Sequence, residues 1–211
     1  MNIAIIGATG MVGARTAAEA ISRGHQVDAY TRSGKAPEGT VAHSIDLVDT
    51  AALVDVVNNH DVTIVAVSAG RGTSAQPVID AHRALIAAAP TGRLLVVGGA
   101  GSLYVNPEHT AVVADGPEFP EAFKPLAAAQ GKALEELRAR DDVRWTFISP
   151  AADFQADGER TGVYILAGEE LRLNDAGESV ISYADYAIAM VDEAERTSDA
   201  HIRQRISVVR R

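Results

Sequence analysis

The residues with the most specific chemistry stand near the start of the chain. After the apolar run Asn2 to Ile6 comes Gly7-Ala8-Thr9-Gly10-Met11-Val12-Gly13, a G-x-x-G-x-x-G run that opens a helical pattern. The first glycine permits a tight turn, the second lets the backbone approach a pyrophosphate, and the third lets the helix pack closely on the strand. Free N–H groups at a helix start, with the helix dipole behind them, favour an anion. The expected chemistry is dinucleotide binding, with Gly7, Thr9, Gly10, Met11, Val12 and Gly13 around the phosphates; the plain alternative is a structural turn that merely needs glycine. The second strand pattern ends Tyr30-Thr31-Arg32-Ser33. An acidic residue there accepts from both ribose hydroxyls of NAD, whereas an arginine pairs with the 2′-phosphate of NADP. Asp28 lies in the same strand but too early. Arg32 therefore points to NADPH, with NADH as the second choice, against a solvated arginine at a strand end.

Other constellations carry less. His25, His43, His60, His82, His109 and His201 show no H-E-x-x-H or paired metal spacing, so no metal is expected. Cysteine is absent, which removes disulfides, thiolate metal sites and a cysteine nucleophile together. Ser102 follows two glycines but forms no G-x-S-x-G elbow, which excludes an α/β-hydrolase. Tyr104 and His109 share its loop; they either cover a pocket or are plain loop-surface residues. Trp145 reads as core, and Phe154 and Tyr164 as candidates for an apolar wall.

These residues need a scaffold, and the pattern supplies one. Strand-like runs at Asn2 to Ile6, Gln26 to Thr31, Thr40 to Ile45, Val62 to Val67, Arg93 to Val97, Val143 to Ile148 and Arg205 to Val209 alternate with helical stretches. The helices are expected over Met11 to Arg23, Thr50 to Asn58 with a threonine cap, Ala75 to Ala89, Pro125 to Arg140 and Tyr183 to Glu195. Strands separated by helices imply right-handed crossovers and a doubly wound parallel α/β sheet with helices on both faces. The stretch from Gly98 to Pro120 is longer than a usual connection and is a candidate functional loop. Residues 151–180 read as a small insertion over one end of the sheet, with strand-like pieces at Gly162 to Leu166 and Glu170 to Leu173.

The 211 residues are expected to form a single domain. A net charge of −9 argues against nucleic acid or an anionic membrane as the main partner. No apolar run approaches the roughly 18 residues of a membrane span. The expectation is a cytoplasmic, unprocessed protein.

Five segments resemble the atypical short-chain dehydrogenase/reductases, specifically the NAD(P)H-binding, NmrA-like group that includes bacterial NADH-flavin reductase-like proteins and flavin reductases of the biliverdin-reductase-B type. They are Ile5 to Gly13, Leu94 to Leu103, Trp145 to Phe154, Arg160 to Tyr164 and Ile181 to Ala187. The resemblance spans nearly the whole chain and implies a Rossmann fold. It implies that Asp46 and Leu47 lie beside the adenine, although Asp46 could equally cap a turn before the next helix. It places Ser68, Ala69 and Gly70 along the cofactor's ribose and phosphates, and Gly98 and Gly99 at its nicotinamide end. Ser102 and Tyr104, on the loop that follows, become the catalytic candidates, against plain loop packing.

The chain departs from the superfamily at one point. No tyrosine has a lysine four residues later, so the Y-x-x-x-K pair that protonates a carbonyl is missing, and the corresponding helix offers Ala128 and Lys132. A ketone reductase of that type is thereby disfavoured. Hydride transfer to a small aromatic acceptor such as a flavin or quinone needs mainly the stacking of two rings. That acceptor, with NADPH and no tightly bound flavin, is the expected chemistry; a non-enzymatic NADP(H) redox sensor acting through a protein partner is the alternative.

Overall fold

The computed structural model describes residues 1–67 and 74–211. Ten strands and five helices follow one another as β1 (Asn2–Ile6), α1 (Met11–Ser22), β2 (Gln26–Thr31), β3 (Val41–Ser44), α2 (Thr50–Asn58), β4 (Val62–Val65), α3 (Gln76–Ala87), β5 (Arg93–Val97), α4 (Lys124–Arg138), β6 (Arg144–Ser149), β7 (Asp153–Gln155), β8 (Tyr164–Ala167), β9 (Val180–Ser182), α5 (Tyr183–Ala194) and β10 (Gln204–Arg210) among the described residues. Eight strands form one sheet in the order β3-β2-β1-β4-β5-β6-β10-β8, while β7 and β9 pair separately. The large sheet is parallel except where β8 runs antiparallel to β10, with Tyr164 opposite Arg210. This is the Rossmann arrangement of strands and helices.

The sheet buries both faces, which explains strands such as Val62–Val65 that are apolar at nearly every position. On one face α1 and α5 pack over Ile3, Ile5, Val27 and Ala29; on the other α2, α3 and α4 pack over Ala4, Ile6, Val65 and Leu94. Strand order reverses between β1 and β4, so the loops after these strands diverge and leave a crevice at their carboxyl ends.

Two local expectations are corrected. Helix α2 is capped by Asp49, whose Oδ1 accepts from Ala52 N at 3.0 Å, and Thr50 is its first helical residue. Glu170 to Leu173 is no strand: Tyr104 N donates to Glu169 O and Leu171 N donates to Tyr104 O, so this piece is spent on the Gly98–Pro120 loop. Within residues 151–180, β8 extends the central sheet, and β7 pairs with β9 at the head of α5. No helix among the described residues is long and apolar enough to cross a membrane.

Candidate active site

The glycine run does three different jobs. Gly7 has φ +89°, and a Cβ there would lie 2.7 Å from Ala66 O. At Gly13 a Cβ would come within 2.3 Å of Gly7 O, so only glycine lets α1 lie this close to the turn. Gly10 is different: its φ of −68° suits any residue, and a Cβ would meet Gly7 O at 3.2 Å and Ala66 O at 3.7 Å. Its open side faces the cleft, which Gly10, Met11 and Val12 line. Gly7 and Gly13 support the turn from beneath, and Thr9 is exposed beside it.

What this turn offers is clearest beside the other helices. Asp49 and Ser182 cap α2 and α5 with side-chain oxygens, whereas α1, like α3 and α4, has no side-chain cap, and of these three starts the one at Gly10 is a bare glycine turn open to the cleft. The N–H groups of the first turn of α1 are left for a ligand. An anionic group approaching the backbone fits this cradle, since a side chain at position 10 would fill it.

At the carboxyl ends of β2 and β3 the structure brings Arg32, Asp46 and Leu47 together, with Thr31 opposite Ser44. Arg32 is exposed and makes no ion pair with any described residue; its carbonyl accepts from Ser44 Oγ at 3.2 Å. Lys35, three residues on, is likewise exposed. Asp28 is engaged elsewhere, 2.5 Å from His43 Nε2 and 3.5 Å from His60 Nε2. Asp46 caps its turn by accepting from Val48 N at 3.2 Å, while Leu47 packs on the core. Ser68, Ala69 and Gly70 lie outside the described residues.

From the cradle a cleft of about 730 Å³ runs past the ends of β5 and β6. Gly98, Gly99, Ala100 and Gly101 form its floor. Their lack of side chains is structural as well: a Cβ at Gly98 would sit 2.1 Å from Phe147 Cε1, and one at Gly101 2.6 Å from Ala127 Cβ. Pro117, Phe119 and Phe123 line one wall, Phe154 and Tyr183 another. Phe154 and Tyr183 contact ring to ring at 3.9 Å, and the Arg15 guanidinium lies 5.4 Å from the Tyr183 centroid. Arg15 also donates to Met11 O at 3.0 Å and to Ala156 O at 2.7 Å, tying the cradle helix to the segment after β7.

Ser102 and Tyr104 are not among the residues lining this cleft. The fully buried Arg205 side chain donates to Ser102 O at 2.8 Å and to Ser102 Oγ at 3.0 Å, and also pairs with the Glu169 carboxylate. Burial pulls the Arg205 guanidinium below its usual range, and Glu169 opposes the shift. Tyr104 lies 5.6 Å from that guanidinium and stacks on His109 at 4.1 Å. Both residues thus pin the near half of the loop, whose far half forms the cleft wall. Tyr164 is also elsewhere, its hydroxyl donating to Asp192 Oδ2 at 2.7 Å.

On α4 the structure turns Ala128 and Lys132 away from the cleft. Lys132 points to solvent, with Nζ 3.0 Å from Glu135 Oε2. The residues this segment turns toward the cleft are Phe123, Leu126, Ala127 and Gln130. None of them titrates. Among the described lining residues only Glu118, Asp153 and Tyr183 carry ionisable side chains. Sequence reasoning missed Gln130 and Tyr183; the i, i+4 spacing of Leu126 and Gln130 is the signal that would have shown the cleft-facing stripe.

A family model described as NAD(P)H-binding matches residues 7–196. The chain belongs to this NAD(P)H-binding family. The uncharacterized protein YwnB of Bacillus subtilis (strain 168) is 42% identical over 214 residues, covering 99% of this chain and 98% of YwnB. A putative NADH-flavin reductase from Streptococcus pneumoniae TIGR4 has a solved structure with TM-score 0.85 and 42% identity, covering 100% of both chains. A short-chain dehydrogenase/reductase from Veillonella parvula, solved in complex with NADP, matches with TM-score 0.71 and 18% identity over 99% of this chain and 94% of its own, a likeness of fold.

Proposed function

We propose that the protein is an NADPH-dependent oxidoreductase that reduces a flavin, quinone or similar aromatic acceptor and holds no flavin tightly. The observation that carries this reading is the cleft, which joins an uncapped helix start to an aromatic-walled pocket with no acid–base pair on α4. Its volume of about 730 Å³ is in the range of small-molecule sites. The bound cofactor supplies a hydride.

The chain's own residues bind, orient and exclude water. The N–H groups of Met11, Val12 and Gly13 take the pyrophosphate, with Gly7, Thr9 and Gly10 shaping the turn. Arg32 takes the 2′-phosphate, assisted by Lys35, whose exposed side chain stands on the same turn. Asp46 and Leu47 border the adenine, Ser68, Ala69 and Gly70 the ribose and phosphates, and Gly98 and Gly99 the nicotinamide end. Phe119 and Phe123 on one wall and Phe154 and Tyr183 on the other keep an acceptor ring flat and dry. Ser102 and Tyr104, assigned to catalysis on sequence grounds, act at one remove by holding the loop through Arg205.

The orientation of Lys132 supports an acceptor that needs no proton donor on α4, since nothing there can protonate a ketone. An open pocket also supports an enzyme over a redox sensor, which has no use for space above the nicotinamide. The test is NADPH oxidation measured against riboflavin, FMN, FAD, quinones and azo dyes. Turnover with a flavin or quinone supports the reading; tight NADPH binding without turnover of any acceptor overturns it.

A further inference from the structure

We infer that Gln130 is a positioning residue whose side-chain amide binds the carboxamide of the nicotinamide ring. The inference rests on the NAD(P)H site and not on the choice of acceptor.

Gln130 projects from α4 onto the cleft floor at the carboxyl end of β5. Its amide sits against Gly99 so closely that a Cβ on residue 99 would lie 1.9 Å from Gln130 Oε1 and 2.8 Å from its Cδ. Position 99 is thus kept bare for this side chain. The amide has two donors and one acceptor oxygen, yet it makes no hydrogen bond with any described residue. On its other side is a small chamber of about 20 Å³ whose remaining lining is almost wholly apolar, including Val78, Ile79, Leu126 and Phe147. His82 also lines that chamber, but its Nε2 has no hydrogen-bond partner, so the two groups do not satisfy each other. The half-buried Gln130 amide is therefore open to a partner from the cleft it lines.

The chemistry narrows what that partner is. A primary carboxamide carries the same two donors and one acceptor, so one amide can give to and take from the other. Gln130 is neutral, and neither α4 neighbour on this face, Leu126 or Ala127, brings a charge. A cation here would oppose the positive ring of the oxidised cofactor; a neutral amide accommodates both redox forms. Fixing the carboxamide fixes the rotation of the ring, and with it the face presented to the aromatic walls.

The experiment is a binding measurement that needs no turnover. NADPH, its 3-acetylpyridine analogue, which lacks the carboxamide N–H donors, and 2′,5′-ADP, which lacks the nicotinamide nucleoside, are titrated by calorimetry onto the unmodified protein, Gln130→Met and Gly99→Ala. The expected result for Gln130→Met is NADPH binding weakened about three- to tenfold, the size of one or two neutral hydrogen bonds, with 2′,5′-ADP unchanged. The unmodified protein should prefer NADPH to the acetylpyridine analogue, and Gln130→Met should not. Gly99→Ala, which displaces the amide, should reproduce the same pattern, and unchanged 2′,5′-ADP binding certifies that each variant is folded. Unchanged NADPH affinity in Gln130→Met, equal losses for NADPH and 2′,5′-ADP, or a preference that survives the substitution would each overturn the inference. Failure of every acceptor in the turnover panel, with these binding results intact, would remove the reductase reading alone.

Discussion

Replacing Gly10 with valine should abolish NADPH binding and leave the protein folded. The backbone at Gly10, with φ −68° and ψ 163°, lies in a region open to any residue. The nearest atoms to an added Cβ are Gly7 O at 3.2 Å and Ala66 O at 3.7 Å, contacts that a shift of a few tenths of an ångström relieves. The side chain would instead project over the uncapped start of α1, where the pyrophosphate is to lie. Gly13→Val is the contrasting variant, because its Cβ would meet Gly7 O at 2.3 Å and force the helix off the strand. The assay is thermal unfolding by circular dichroism with and without cofactor. At a cofactor concentration one hundredfold above Kd, binding stabilises the native state by about 2.7 kcal/mol, which for a chain of this length raises Tm by about 5–11 °C. The unmodified protein should show that rise. Gly10→Val should melt within about 3 °C of it without ligand, in keeping with a small local rearrangement, and show no rise with NADPH. Gly13→Val should be destabilised before any ligand is added. A full NADPH-induced rise in Gly10→Val would refute the placement of the phosphates.

Arg32→Ala should erase a preference for NADPH over NADH of about ten- to a hundredfold, the value of a charge-assisted pair, as read by fluorescence titration of both cofactors. Equal binding of both by the unmodified protein would contradict the assignment. Lys132→Ala should change single-turnover acceptor reduction by less than about threefold with cofactor saturating, whereas loss of a general acid costs on the order of 10² to 10⁴. Burial pushes the His82 imidazole down to about 4, with Glu136 pulling the other way. The unfolded chain therefore binds a proton at His82 that the native state refuses. Its contribution to stability is full above about pH 6.5 and is lost as pH falls toward about 4, by at most about 3 kcal/mol. Urea unfolding at pH 7.5 and 4.5 should show a smaller drop for His82→Leu than for the unmodified protein; parallel drops would mean His82 is not held neutral.

The scaffold was readable in the sequence because its signals are local. Buried parallel strands write themselves as apolar runs such as Val62–Val65, and the glycine turn sits where a strand hands over to a helix. The small strands β7 and β9 were not readable, since three residues each leave no period to detect. The cradle was legible for the same local reason, each glycine having a distinct steric duty within seven residues. The far end of the cleft was not. Ser102 and Tyr104 follow the floor glycines in sequence, but Arg205, 103 residues from Ser102, turns both toward the loop's anchorage. Tyr183 enters the cleft only because α5 packs on α1 and presents its first residue beside Phe154. Gln130 was hidden by helical phase: Lys132 drew attention as a lysine, yet two residues' rotation puts it in solvent and Gln130 over Gly99.

The most direct test of the central claim, that the cleft holds NADPH with an acceptor ring against it, is anaerobic stopped-flow reduction of riboflavin or a quinone by the NADPH-bound protein. Cofactor carrying deuterium at the transferred C4 position is run beside unlabelled NADPH. The expected result is one equivalent of acceptor reduced per NADPH consumed, at a rate lowered by the label and dependent on the protein. NADPH that binds but is not consumed, or consumption at the protein-free rate, would contradict the account.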